Sequence, residues 1–220
     1  MMRRSLIELV LVVLTGVGHV TLEVATSGLK GAADSLNRPQ HVYNLAAAVL
    51  WAAYLAWRLF RTPGLAHEWG FRRDGFGRAL GVSLLAGAVA AVPLVAYGAC
   101  QGRFPPPSTF WLLVALYPLW GLAQQFALQC LLTRNLRQVV PRLFFRILAA
   151  AAIFSAAHFP NYELMLLTLG AGLLFTWLYE TYGNLWAVGI AHGLLGALAY
   201  YAVLGQNPGA EILGFLNHVR

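Results

Sequence analysis

Charge is scarce in this 220-residue chain: 15 Lys and Arg and 8 Asp and Glu make up 10% of it, and only one of the basic residues is a lysine. A soluble domain carries about a quarter charged residues, so this supply cannot cover a water-facing surface. Disorder is excluded as well, because it needs low hydrophobicity and dense charge, whereas 59% of these residues are apolar. The basic excess does not point to nucleic acid either. It falls in or beside the gaps between apolar runs, where it meets lipid headgroups and sets orientation. Cysteine is nearly absent: Cys100 and Cys130 cannot make a disulfide framework and are expected to fill space between packed helices.

What is abundant is long apolar sequence. A bilayer core of about 30 Å is crossed by roughly 20 apolar residues in a helix. Windows of that length, bounded by Arg, Pro, Gly or Asn, predict seven spans at about 5–24, 41–60, 79–99, 109–133, 143–159, 162–181 and 184–204. The expected fold is all-α, a polytopic membrane helix bundle of about seven transmembrane helices, with residues 1–220 forming a single integral membrane domain. The fifth window is the shortest and is closed by the turn signal Phe159-Pro160-Asn161. Met1-Met2-Arg3-Arg4 opens the first window as a signal peptide would, but Glu8, His19 and Glu23 interrupt the run, so a retained first helix is expected. Arg3, Arg4, Arg58, Arg61, Arg72, Arg73, Arg78, Arg134, Arg137, Arg142 and Arg146 gather at one set of alternate helix ends, against Lys30, Arg38, Arg103 and Arg220 at the other. The cytoplasmic preference of Lys and Arg then puts the N-terminus inside, and the cell inner membrane is the expected location. The sequence shows no internal repeat and no matched pair of Gly/Pro-broken helices, which argues against a secondary transporter.

An ionisable or amide side chain inside hydrocarbon is costly, so each is a functional candidate facing the bundle interior. The fourth span carries Gln124, Gln125 and Gln129. Gln125 and Gln129, four apart, share a helix face, with Gln124 about 100° round from Gln125. One such amide reads as interhelical glue; three within six residues make a site an equal reading. His158 ends the fifth span and His192 lies in the seventh. Counting from the cytoplasmic ends puts Gln125 roughly 13 Å deep, His158 about 18 Å and His192 about 12 Å, depths at which neighbouring helices can bring them together. The first span places Glu8, Thr15, His19 and Glu23 within about 80° on one face. Glu8 and Glu23 read there as solvated or snorkelling ends and His19 with Glu23 as an i, i+4 pair. His19 is also a proton acceptor for the main site where the first helix packs against it.

Taken in order, these residues resemble a known family. A polar pair, Gln124-Gln125, with Gln129 four beyond its second member, then Phe154-x-x-x-His158 near a helix end, then His192 on a later helix, resembles the CPBP family of CAAX proteases and bacteriocin-processing intramembrane proteins. The stretch Leu178-Tyr179-Glu180-Thr181-Tyr182-Gly183-Asn184-Leu185-Trp186-Ala187 before His192 is similar to the family's approach to its third motif. The resemblance covers about 109–204 and implies a CPBP-like core there, preceded by three N-terminal helices in 1–108. It implies an intramembrane endopeptidase acting on membrane-embedded or prenylated peptides, with Gln124, Gln125, His158 and His192 at the catalytic positions. Gln129, Phe154 and Gly196 then contribute to binding, with His19 added from the first span.

The departures are chemical. The family's first motif is Glu-Glu-x-x-x-Arg and its third His-x-x-x-Asn; here Gln124, Gln125 and Gln129 replace both Glu and the Arg, and Gly196 stands at the Asn position. In the family a motif-one Glu is held to activate the attacking water, and glutamine cannot take that proton. Joint loss of Glu and Arg reads as a site rebuilt neutral, since amides keep hydrogen bonding without the desolvation cost of buried charge. Three functions stay open: a peptidase with His158 or His192 as base and the glutamines as oxyanion donors; a non-catalytic relative that binds a lipid, an isoprenoid chain or a hydrophobic peptide; and an enzyme acting on such a lipid with histidine as acid and base. The expected partners are membrane lipid or a hydrophobic peptide substrate, not nucleic acid. No cofactor is expected and no metal, because two histidines fall short of the roughly three ligands a catalytic zinc wants. Glu163 is expected at the outer membrane surface.

Overall fold

A computed structural model describes residues 2–26 and 39–207; Lys30, Arg38 and Arg220 lie outside the described residues. Among the described residues there are helices and no strand: α1 (Met2–Thr26), α2 (Pro39–Arg61), α3 (Leu65–Glu68), α4 (Phe76–Cys100), α5 (Thr109–Gln125), a π-helical segment (Phe126–Thr133), α6 (Arg134–Leu136), α7 (Leu143–Ala156), α8 (Tyr162–Tyr182) and α9 (Leu185–Ala202). Six helical runs are long and apolar enough to cross a membrane: α1 from Arg4, α2, α4, the continuous stretch Thr109–Leu136, α8 and α9. The expected fifth span is the exception. Its helix, α7, has 14 residues, about 21 Å at 1.5 Å per residue, and the chain turns over residues 157–160 before α8 begins. Large apolar side chains such as Phe60, Leu50, Leu119 and Leu166 are exposed, which suits hydrocarbon and not water. The chain is an integral membrane protein with a helical bundle fold.

The described helices fall into two compact units. The first comprises Met1–Trp69 and Cys130–Leu173. In it α1 and α2 run antiparallel, stitched by the polar face read on α1. The Thr15 carbonyl accepts from Tyr43 Oη (3.0 Å), Thr15 Oγ1 accepts from Trp51 Nε1 (3.2 Å), and Gln40 Nε2 donates to Glu23 (2.8 Å). Glu8 is therefore not a solvated or snorkelling end, whereas Glu23 stays half-buried beside Gln40. Glu8 is buried and accepts from Tyr54 Oη, Arg58 Nη1 and, at 3.1 Å, Asn135 Nδ2. His19 pairs with Asn44 rather than with Glu23. The Cys130 thiol is buried and donates to the Trp69 carbonyl, whereas Cys100, expected in a packed interior, is exposed, so its thiol fills no interhelical gap. Asn161 Oδ1 accepts from Leu164 N (2.9 Å) at the start of α8, and Gly172 lets α8 meet α7, since a Cβ there would stand 2.9 Å from Ala151 Cα.

The second unit comprises Gly70–Gln129 and Leu174–Arg220. There α9 packs along both α5 and α4. Phe110, Leu113 and Ala197 form a buried cluster with Val114, Tyr117 and Tyr201 against it. α9 ends where Arg103 Nη1 donates to the Ala202 carbonyl at 2.7 Å, a cation satisfying a carbonyl that the last helical turn leaves open.

Candidate functional site

The second unit sets His192 from its helix start. Asn184 caps α9, its Oδ1 accepting from Ala187 N at 3.1 Å, and its Nδ2 donates back to the Arg72 carbonyl at 3.0 Å. Arg72 Nη2 in turn donates to the Tyr182 carbonyl at 2.7 Å, and Leu185 N to Gly70 O at 2.9 Å. Gly70 has a left-handed backbone, φ 87°, and lies so near Gly183 O that a Cβ would stand at 2.8 Å from it. Only glycine meets both demands. About one and two turns further along α9, Gly189 and Gly193 present bare backbone to α5. A Cβ on Gly189 would lie 2.8 Å from Leu122 Cα, one on Gly121 would lie 2.5 Å from Gly193 N, and one on Gly193 would run into Pro118. The antiparallel helices thus cross backbone to backbone, the small-residue device of membrane helix pairs.

That crossing brings Gln124 to His192. His192 Nε2 stands 3.0 Å from Gln124 Oε1. The carbonyl oxygen can only accept, so Nε2 carries the proton and Nδ1 the lone pair. His192 is buried, and the Phe175 ring of α8 meets it edge to face at 5.2 Å. Gln125 and Gln129 look the other way. Gln129 Nε2 donates to Gln125 Oε1 (2.9 Å) and to Thr176 Oγ1 of α8 (3.1 Å), and all three residues have zero exposure. The sequence places two amides on one face; the structure adds that the α-helix ends at Gln125 and gives way to the π-helical register at Phe126, a rare form found frequently at functional sites. Gln125 Nε2 and Gln129 Oε1 are buried with no hydrogen-bond partner among the described residues.

The position the family gives to Asn is filled from the opposite helix. A Cβ on Gly196 would sit 2.8 Å from Tyr117 Cε1, and the Tyr117 ring packs against Tyr200 at 5.5 Å. A side chain at 196 therefore requires the Tyr117 ring to shift.

Phe154, His158 and His19 belong to the first unit. His158 follows α7 and is half-buried; its Nδ1–H donates to the Phe154 carbonyl at 2.8 Å, and the two rings meet edge to face at 5.0 Å. The Phe-x-x-x-His spacing is thus a single helical turn that fixes the imidazole and leaves Nε2 as its basic edge. His19 Nδ1 lies 3.0 Å from Asn44 Oδ1, and His19 is within electrostatic reach of His158.

An imidazole held by one amide and a pair of amides sealed beside it can orient a polar group, but the second unit's cluster holds no carboxylate to take a proton from water. These features define a polytopic membrane protein with a neutral amide–imidazole cluster between helices of its second unit. Residues 106–198 match the family model described as type II CAAX prenyl endopeptidase Rce1-like, so that stretch is similar to this family. No curated protein and no solved structure matches the chain.

Sequence reasoning did not single out Thr176, Phe175, Tyr117 or the glycines of the crossing. Thr176 is a hydroxyl within an apolar span, and Gly189-x-x-x-Gly193 is a small-x-x-x-small pair; both signals were legible. Tyr117 carries no such signal, since its role depends on what faces it.

Proposed function

We propose that the chain is a CAAX-protease-like membrane protein of the cell inner membrane that binds a membrane-embedded or prenylated peptide without hydrolysing it. The carrying observation is that every motif position of the cluster is neutral or filled: Gln124 is committed to His192, Gln125 and Gln129 to each other and to Thr176, and position 196 to the Tyr117 ring. A hydrolase needs a group that takes the water's proton, and an amide does not. By the arginine distribution the N-terminus faces the cytoplasm. The test is purified protein in lipid nanodiscs with a fluorescent farnesylated peptide ending in Cys and two aliphatic residues. Saturable binding with the peptide intact by mass spectrometry is expected. Cleavage that is lost in His192→Ala or His158→Ala overturns the reading.

A histidine-based, metal-free peptidase is the second reading, and one observation favours it: the Nδ1–H bond to Phe154 leaves His158 Nε2 as a fixed base. It requires cleavage that chelators leave untouched and His158→Ala abolishes.

A further inference from the structure

Two arginines at the start of α4 have no carboxylate to answer them. The segment before α4 is seated by Phe71, whose ring stacks on Phe126 at 6.0 Å and meets Trp186 edge to face at 5.1 Å. Arg72 is spent on the Tyr182 carbonyl and on Asp74, 3.6 Å away. Arg73 and Arg78 are exposed, and neither makes an ion pair among the described residues. Phe76 N donates to the Arg73 carbonyl at 3.2 Å, a turn that brings Arg73 to the head of the helix. Arg78 is held in place, its guanidinium 6.0 Å from the centre of the Tyr182 ring. Open space lies alongside: a Cβ on Gly75, Gly77 or Gly81 would meet nothing within 4 Å. On α4, Gly77, Arg78, Gly81, Leu85, Val89 and Val92 fall within about 120° of one another, and Leu85, Val89 and Val92 are exposed. The helix therefore presents two guanidiniums above a strip that is bare for its first turns and apolar beyond. A guanidinium fork suits a phosphate oxygen pair, the strip suits an acyl chain, and the exposed Trp186 marks the level of the headgroups. A soluble phosphate or an acidic protein loop uses the charges alone and leaves the strip unfilled.

We propose that Arg73 and Arg78 bind the phosphate of an anionic phospholipid whose acyl chain lies along this face of α4, a lipid site apart from the amide–imidazole cluster. Tyr182 carries Arg78 on its ring and Arg72 on its carbonyl, so an occupied site also steadies the turn from which α9 starts. The test is the full-length protein with mixed phosphatidylglycerol and phosphatidylcholine, read by native mass spectrometry as retained lipid and by thermal unfolding. Phosphatidylglycerol is expected to be retained over phosphatidylcholine and to raise the unfolding temperature. Arg73→Gln with Arg78→Gln is expected to weaken its binding about thirtyfold, the loss of two basic contacts at a membrane surface, and to abolish the thermal shift. Arg61→Gln with Arg142→Gln removes two exposed arginines of the first unit and is expected to change neither. Gly81→Leu keeps both charges and fills the strip; it is expected to weaken retention too, and it carries the test where the arginine variant does not fold. Equal losses in the two arginine pairs, or no preference between the lipids, overturns the site and leaves only the general attraction of basic helix ends for the membrane. Retention unchanged in Gly81→Leu, or sn-glycerol 3-phosphate binding as tightly as phosphatidylglycerol, overturns the lipid as occupant.

Discussion

The two units solve one problem in opposite ways. Around Glu8 the first unit keeps full charges: a carboxylate, the Arg58 guanidinium, the Tyr54 hydroxyl and the Asn135 amide close on each other. Around Gln125 the second unit keeps none, and amides, a hydroxyl and an imidazole share single protons. The charged knot includes Arg58, one of the arginines in the last turn of α2. Such a pair persists in a medium of low dielectric only when each charge is matched and its remaining lone pairs are used. Among the described residues both arrangements leave unmatched buried atoms, Arg58 Nε in the charged knot and Gln125 Nε2 and Gln129 Oε1 in the neutral cluster. The same chain therefore holds a buried ion pair in one unit and only neutral groups at Gln124, Gln125 and Gln129 in the other.

The comparison breaks most sharply by exchanging the two solutions. Gln124→Glu with Gln125→Glu sets a half-buried and a buried carboxylate side by side with no arginine between them, and Glu8→Ala leaves Arg58 without its anion; each is expected to cost about 3–5 kcal/mol, read as loss of folded protein in thermal unfolding in micelles. Adding Gln129→Arg to the double variant is expected to recover part of the loss, whereas the apolar pair Glu8→Leu with Arg58→Met is expected to stay near the parent. If the triple variant gains peptidase activity on a membrane substrate, the frame is intact and only the charges were removed. Next in size is the helix crossing: Gly193→Ala drives a methyl into Pro118 and is expected to cost about 1–3 kcal/mol and to loosen the Gln124–His192 bond. Smaller is Gly196→Asn, which the Tyr117 ring opposes. Its destabilisation is expected to shrink in a Tyr117→Ala background, and equal losses in both backgrounds would show that the ring is not what fills the site. The smallest effects are Thr176→Val and Asn44→Leu, each deleting one neutral bond, expected at about 1 kcal/mol or less.

Much of this was legible in the sequence, and the limits are physical. Six of the seven expected spans are helices of crossing length because a 20-residue apolar run in lipid has one way to satisfy its backbone. The fifth window, 143–159, has no such margin, and its helix stops at Ala156, ahead of Phe159-Pro160. The polar candidates on the fourth and seventh spans do meet, yet the partner of His192 is Gln124 and not Gln125, because which neighbour an amide reaches is decided by the facing helix. The polar stripe on α1 could be counted but not matched, since Tyr43, Asn44, Trp51 and Tyr54 sit 25 to 46 residues further on. The π-helical register after Gln125 leaves no mark in residue type.

The crossing at Gly121, Gly189 and Gly193 bears on how this protein can change. Two chain paths in direct contact contain no rotamer that relaxes, so the spacing between positions 124 and 192 is inherited from the frame and not from what those positions carry. A substitution at 124 then alters what faces His192 without altering how far apart the two backbones stand.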